Sequence, residues 1–427
     1  MRSKLFYGWY IVAASVLLTV LFSAIFIYGF TAFVNPIMAT FGWSYAQLSL
    51  ASSLRGLETG AFNPVWGVAV DRWSAKKLML FGMIVTALGV FFLSRSVNLA
   101  MYYVGSLIVG MGSSLATGVL PTAVIARWFK RGIGKANGVF SMGMGIGGVA
   151  TPIVVAVVDK FSWQTTLMFA AIGFLALGVP LSFVFRGKPQ DYGLLPDGGA
   201  SNAPIGSGLS RNYDFGTRVR DALKMRAFWQ IGLVILFQFA IFGVLSVYMI
   251  PYFTSLGKDR ETGGIVVMLY TLVSLAFRIP IGMLSDKFRK SLVIAFTVGL
   301  MGVGVGLLWL LDEHSPFWLV VLFAVAYGLG VSGMTPLRPP IIAEYFGTRN
   351  FGTIFGLSSI FNTVAMVAAA PLAGWVFDTY GDYKSVLLVL AGFSVLGVIL
   401  MLTIPVAPII ANPAMSQAAP VGRFKKW

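Results

Sequence analysis

The sequence predicts an all-α membrane protein of twelve transmembrane helices, built as two pseudo-symmetric six-helix bundles. Three observations carry this: an apolar composition, long apolar runs at regular intervals, and motifs that recur about 215 residues apart. The chain has 427 residues, of which 57% are hydrophobic and only 11% charged, with a mean hydropathy of +0.84. A water-soluble core cannot hide that much apolar surface, so lipid is the expected solvent. Runs such as Ile11 to Val34, Leu78 to Leu93, Leu292 to Leu311 and Val386 to Ile404 approach or exceed the ~20 residues that cross a hydrocarbon layer of roughly 30 Å. Backbone amides in lipid must bond within their own segment, which makes these runs helices. The ten-residue alternating strands of a β-barrel are not seen. Met1 to Lys4 lead into a run too long for the apolar part of a cleavable signal.

The spans are expected near 8–34, 44–70, 77–95, 99–126, 136–158, 163–185, 227–253, 262–284, 292–311, 316–342, 352–376 and 385–407. Between residues 186 and 226 hydropathy collapses, and Pro189, Pro196, Gly198, Gly199, Pro204, Gly206 and Gly208 interrupt any regular helix. This linker divides an N-terminal bundle, 1–185, from a C-terminal bundle with a short tail, 227–427.

The formal charge of +16 comes from 31 Lys and Arg against 15 Asp and Glu. The basic residues gather in alternate loops and in the linker: Arg2, Lys4, Arg72, Lys76, Lys77, Arg127, Lys130, Arg131, Lys135, Lys287, Arg289, Lys290, Arg349 and the tail fall on one side. By the positive-inside rule both termini and the linker face the cytoplasm of a plasma (inner) membrane, and the charge is a topology signal, not a nucleic-acid footprint. The chain has no cysteine, which removes disulfides, thiolate catalysis and cysteine-ligated metals. No obligatory protein partner is indicated.

The repeat is ordered. Pro36 and Gly42 recur as Pro251 and Gly257, and Gly67-x-x-x-Asp71-Arg72 recurs as Gly282-x-x-x-Asp286-Lys287. Trp128-Phe129 matches Tyr345-Phe346, Gly138 matches Gly356, Pro152 matches Pro371, and Asp159 matches Asp378. A series at nearly constant spacing marks a duplicated unit. Parallel six-helix repeats of this kind place a substrate site between the halves near the bilayer midplane.

The stretch Gly67-Val68-Ala69-Val70-Asp71-Arg72-Trp73-Ser74-Ala75-Lys76-Lys77 resembles the helix 2–3 loop of the major facilitator superfamily, departing from it at the second glycine. Three further features resemble the monocarboxylate and oxalate/formate carrier branch. They are Tyr7-Gly8-Trp9-Tyr10 opening helix 1, Arg127-Trp128-Phe129-Lys130-Arg131 with Ala136-Asn137-Gly138 before helix 5, and the linker run Pro189 to Gly198. Gly132 and Lys135 depart from the branch pattern around the second feature. The resemblance implies a secondary carrier of a small monocarboxylate such as lactate or pyruvate, with an oxalate/formate-type exchanger as the alternative. A sensor that binds an anion without moving it would retain the same arginine, although no segment here is expected to hold a signalling domain. An enzyme would need a nucleophile with its base, a metal cluster or a cofactor loop, and none is visible.

Arg278 is the sharpest single signal. It lies eight residues from Asp286, roughly 12 Å of helix rise, well inside the membrane. An arginine at the centre of a span costs at least ~2.5–3.5 kcal/mol and generally faces a cavity or a substrate path. Its planar fork matches a carboxylate bidentately, and its position resembles the helix 8 arginine that binds substrate in the family. An ion pair with Glu58 is the competing reading. Arg55 and Glu58, three residues apart, either neutralise one another on one helix face or leave Glu58 to carry a proton. Arg338, beside Pro339 and Pro340, belongs to an intracellular gate or permeation path, or snorkels to headgroups. Asp71, Arg72, Asp286 and Lys287 lie at the membrane boundary, where gating contacts are expected.

One deep cation left over after Arg55 meets Glu58 suits a monoanion. Ser358, Ser359 and Asn362 offer neutral hydrogen bonds at the depth of Arg278. Tyr327, Tyr28, Asn35 and Thr117 are candidate cavity lining, with Tyr327, Asn362, Ser358 and Tyr28 expected to help at the substrate. The resemblance implies protons as the coupling ion and no other cofactor. Relatives place an aspartate four residues before the helix 8 arginine, where this chain has Ser274, and a lysine on helix 1, which has none here. Glu58 or the bound substrate itself is then left to take the proton. His314, in Asp312-Glu313-His314-Ser315, is the chain's single histidine and is expected in a solvated turn. Gly143-x-Gly145-x-Gly147-Gly148 follows no strand, so it reads as close helix packing rather than a nucleotide loop.

Overall fold

A computed structural model describes residues 6–27, 29–43, 58, 61–198, 216–258, 260–380 and 383–405. The described residues are helical throughout, with one isolated bridge between Gly216 and Gly347. They trace twelve passes. We number them α1 (Gly8–Phe22, a π segment Ser23–Ile27, then Phe30–Phe41), α2 (61–72) and α3 (Ala75–Ser94). Next come α4 (Leu99–Ser113, a π segment Ser114–Val119, then Leu120–Trp128), α5 (Ile133–Val149 and Thr151–Phe161) and α6 (Trp163–Ser182). The second half comprises α7 (Arg226–Ser255), α8 (Arg260–Lys287), α9 (Lys290–Leu310), α10 (Phe317–Ser332 and Arg338–Phe346), α11 (Phe351–Tyr380) and α12 (Lys384–Leu402).

Nine of these passes are, among the described residues, each long and apolar enough to cross a membrane unaided. The others are α2, of which only one end is described, α5, interrupted at Ala150, and α10. The expected single span over 316–342 is two helices. The chain turns at 333–336, where Pro336 cannot continue the hydrogen-bond ladder, and Pro339 and Pro340 sit in the first turn of the second piece, where their missing donors cost nothing.

The two halves pack alike. In the first, α3 lies against α4 and α6 while α1 lies against α5; in the second, α9 lies against α10 and α12 while α7 lies against α11. Repeated residues also adopt repeated conformations. Gly42 and Gly257 both end a helix in the left-handed region, at φ 70° and 72°, where a side chain is strained.

The halves meet along two seams, α5 against α8 and α2 against α11. Both are closed by glycine. A Cβ on Gly134 or Gly282 would strike the other's carbonyl oxygen, and Gly67 and Gly352 stand in the same relation. Next along each seam, Gly138 abuts the Arg278 carbonyl and Gly356 abuts the Asn63 carbonyl. Within the first half, Gly143 and Gly147 of α5 lie hard against Val16 and Ser23 of α1, so the glycine run packs helices.

One apolar core joins both halves at the end of the molecule where the linker lies, running from Ile11 and Trp128 to Ile341 and Phe351. At the other end the second half has a separate core around Tyr252, Phe323, Tyr327 and Leu390.

Candidate functional site

Each seam is fastened at the linker end by a carboxylate from one half seated on a helix start of the other. Asp71, ending α2, accepts from the backbone amides of Gly352 (3.0 Å) and Thr353 (2.8 Å) and from the Thr353 hydroxyl (2.8 Å), all at the start of α11. Asp286, ending α8, accepts from the amides of Gly134 (2.7 Å) and Lys135 (2.9 Å) at the start of α5. First-turn amides have no intrahelical acceptor and carry the positive end of the helix dipole, so an anion is the natural partner. Both carboxylates thus bond to atoms of the opposite half. Arg72 and Lys287 are exposed beside them.

The sequence places Arg127 among the loop charges and at the head of one branch-like feature. It is buried, and its Nη2 donates to Asp71 Oδ1 at 3.0 Å and to the Val70 carbonyl at 3.2 Å. Its place at the end of a span, directly before Trp128 and Phe129, was the available signal. In the second half the corresponding Glu344 instead pairs with Lys290 at 2.6 Å, half-exposed.

Arg278 lies two turns above the Asp286 contact on α8. Its Nη1 donates to the backbone carbonyl of Ser141 on α5, so the guanidinium bridges the two halves. Ser274, one turn earlier on α8, is buried with its hydroxyl making no hydrogen bond. Asn362 on α11 is half-buried, and its Oδ1 likewise has no partner. Such groups are costly unless something fills them.

Ser358 is placed differently from its expected role beside Arg278. Its hydroxyl, with that of Ser359, accepts from Arg338 Nη2 at 2.8 and 2.7 Å, and the Phe355 carbonyl accepts from the same nitrogen at 3.0 Å. The Arg338 guanidinium lies 4.3 Å over the Phe355 ring. It therefore turns inward onto α11 and does not snorkel to headgroups. The break in α10 explains this, because the second piece starts at Arg338 and is free to aim its first residue across to α11. Arg338, Gln238 and Met334 line a small cavity of about 10 Å³ inside the second half.

Tyr327 is fully buried in the second half's separate core, edge-on to Tyr270 at 5.2 Å and stacked on Phe323 at 5.6 Å. That position is away from both seams, because the first piece of α10 is almost wholly apolar and gives no sequence cue to its rotation. Thr117 lies in the π segment of α4 with its hydroxyl bonded to the Ser113 carbonyl at 2.9 Å. Glu58 is buried. Tyr28 and Arg55 lie outside the described residues, as does the side chain of Asn35.

The three short features that carried the branch resemblance gather in one place. The Arg186 guanidinium sits between the Tyr7 ring (3.9 Å) and the Tyr192 ring (4.3 Å). Trp128 Nε1 donates to the Arg186 carbonyl at 2.9 Å, and the Tyr7 hydroxyl donates to Val184 at 3.1 Å. Asp197 of the linker accepts from the amides of Lys130 and Arg131 at 3.0 to 3.2 Å. His314 is exposed. Beside it the Ser315 hydroxyl, bonded at 2.7 Å, holds the Asp312 carboxyl below its ordinary range. Among the described residues no three acidic, histidine or cysteine side chains gather as a metal site would require.

Two glycine-sealed, carboxylate-fastened bundles with an arginine at their interface are the architecture of a membrane transport protein, the class to which the family match assigns the chain. The chain belongs to the Major Facilitator Superfamily, whose family description matches residues 16–263 and 246–425. It is similar to Monocarboxylate transporter 12 of Xenopus laevis, 25% identical over 91% of this chain and 86% of that one. Monocarboxylate transporter 2 of Rattus norvegicus is 23% identical over 88% and 79%. Among solved structures, an outward-facing bacterial homologue of the iron transporter ferroportin superposes with a TM-score of 0.72 at 14% identity, covering 93% of this chain and 98% of that one. The human organic anion transporter MFSD10 (TETRAN) does so with 0.68 at 14%, covering 94% and 100%.

Proposed function

We propose that the protein is a proton-coupled secondary carrier of small monocarboxylates of the lactate or pyruvate kind, working by alternating access in a plasma (inner) membrane with both termini and the linker cytoplasmic. The observation that carries this reading is the bond from Arg278 to the Ser141 carbonyl across the α5–α8 seam. A backbone carbonyl is a neutral acceptor. A substrate carboxylate approaching the same fork exchanges this single bond to a neutral carbonyl for a bidentate pair of opposite charges, so binding the anion loosens a contact between the halves. Asn362 Oδ1 and the Ser274 hydroxyl, both without partners, suit a substrate hydroxyl or a protonated carboxyl. The relatives named as monocarboxylate transporters support the substrate class. With Ser274 in place of an acid, the proton falls to buried Glu58 or to the substrate.

The Asp71 and Asp286 contacts act as the cytoplasmic gate. A carboxylate at a helix start is worth about 0.3–2 kcal/mol, enough to hold the seam and small enough to be released in each cycle.

Uptake of labelled lactate, pyruvate, formate and oxalate into proteoliposomes, with and without a pH gradient, tests the assignment. We expect gradient-stimulated monoanion uptake, and its loss in Arg278→Ala protein that still inserts and elutes as a single species. Near-normal uptake by that variant removes Arg278 from the role. A second reading, exchange of oxalate-type dianions, draws on Arg338, a half-buried cation whose hydrogen bonds go to neutral acceptors. Oxalate exchange outrunning lactate uptake would select it.

A further inference from the structure

The linker run Pro189 to Gly198 is tied down far more tightly than a connection between bundles requires. Pro189–Tyr192 forms one 3-10 turn, closed by Gly193 in the left-handed region at φ 69°. Tyr192 holds one face of Arg186 while Tyr7 holds the other. The run ends at Asp197, whose backbone is itself left-handed at φ 61°, a conformation that costs a residue with a side chain unless its surroundings hold it there. What holds it is three hydrogen bonds from the amides of Lys130 and Arg131.

Those amides lie three to five residues before Gly134 and Lys135, whose own amides receive Asp286. The start of α5 is therefore flanked by two carboxylates that serve successive amides: Asp197 from the linker for 130 and 131, Asp286 from the opposite half for 134 and 135. The far end of the linker repeats the attachment at the other seam. Thr217 donates its amide to the Phe346 carbonyl at 2.9 Å, and its own carbonyl accepts from Asn350 Nδ2 at 3.0 Å, immediately before α11. Both helix starts that accept a gate carboxylate are thus held by the linker.

We propose that Asp197 is a positioning residue of the gate: by capping the loop before α5 it fixes the pose in which the Gly134 and Lys135 amides meet Asp286. This rests on the gate reading given above. It makes the linker a strap that sets how firmly the α5–α8 seam stays shut, and it assigns a task to a sequence run far from the substrate path.

The chain has no cysteine, so a single introduced one is a clean reporter. Ser285 is fully buried and packs directly beneath Gly134, so Ser285→Cys reports opening of this seam to a water-soluble maleimide in the purified full-length protein. Adding Asp197→Ala is expected to raise the labelling rate about fivefold, the population change made by losing one capping carboxylate. Asp197→Asn, which keeps an acceptor oxygen without the charge, is expected to fall between, and it serves in place of the alanine variant if that one does not fold. Asp286→Ala in the same background is the gate control, and Ser394→Cys, buried on α12 well away from the seam, reports general loosening. Equal labelling with and without Asp197, while Asp286→Ala speeds it, overturns the proposal and leaves the gate standing. No acceleration from Asp286→Ala overturns both. A matching rise at Ser394→Cys shows loosening of the whole fold and also overturns the positioning role.

Discussion

Along α2 and α11 the carboxylate that crosses between the halves carries its own arginine, with both side chains 7% exposed, whereas along α5 and α8 the equivalent carboxylate is met by two backbone amides. The glycine contacts beneath them are the same. One duplicated fastening has therefore become two grades of fastening. Asp71 has been drawn into a buried cluster with Arg127, Gly352 and Thr353, so its seam is anchored. Asp286 is half-buried, and Lys290 nearby pairs with Glu344, so its seam is expected to be the weaker fastening. Arg278, the residue proposed to meet the substrate, lies along the seam without an arginine at its carboxylate.

The comparison can be broken with four substitutions. Arg127→Ala leaves Asp71 buried against no cation and is expected to cost about 3–5 kcal/mol, read as a large drop in the thermal midpoint of the detergent-purified protein. Lys290→Ala, the nearest counterpart at the other seam, should stay within ~1 kcal/mol because its pair is partly exposed. Equal losses would erase the distinction between anchored and loose seams. Asp286→Ala is expected to cost about 1–2 kcal/mol at the helix start, with added salt weakening the wild-type contact toward the variant's stability. A cost as large as that of Arg127→Ala would make the two fastenings equivalent. Thr353→Ala removes one of the donors to Asp71 and should cost about 0.5–1.5 kcal/mol. A larger loss would show that the hydroxyl, not Arg127, holds the carboxylate in place.

The repeat made much of this legible. Gly67 and Gly282, Gly138 and Gly356, and Asp71 and Asp286 stand at matched offsets, and each pair makes matched contacts across a seam. Gly42 and Gly257 announced two helix ends because only a residue without a side chain takes that conformation cheaply. What stayed hidden depended on helix rotation. The first piece of α10 is almost wholly apolar and α11 carries only scattered polar residues, so nothing in their periodicity said that Tyr327 would turn into a core, or that Ser358 would serve Arg338. The break in α10 was written in Pro336, Pro339 and Pro340, yet hydropathy alone runs straight across it. Asp197 was invisible for another reason: its partners are backbone amides, which no residue pattern marks.

The two sides of each fastening in the proposed gate differ in how they tolerate substitution. Amides at a helix start survive nearly any side-chain replacement except proline, so the receiving half of each fastening is buffered against mutation. The donating half is a single short carboxylate, where lengthening by one methylene or loss of the charge breaks the fit. Random substitution should therefore damage the gate asymmetrically, with Asp71, Asp286 and Asp197 intolerant and Lys135, Thr353, Lys130 and Arg131 permissive.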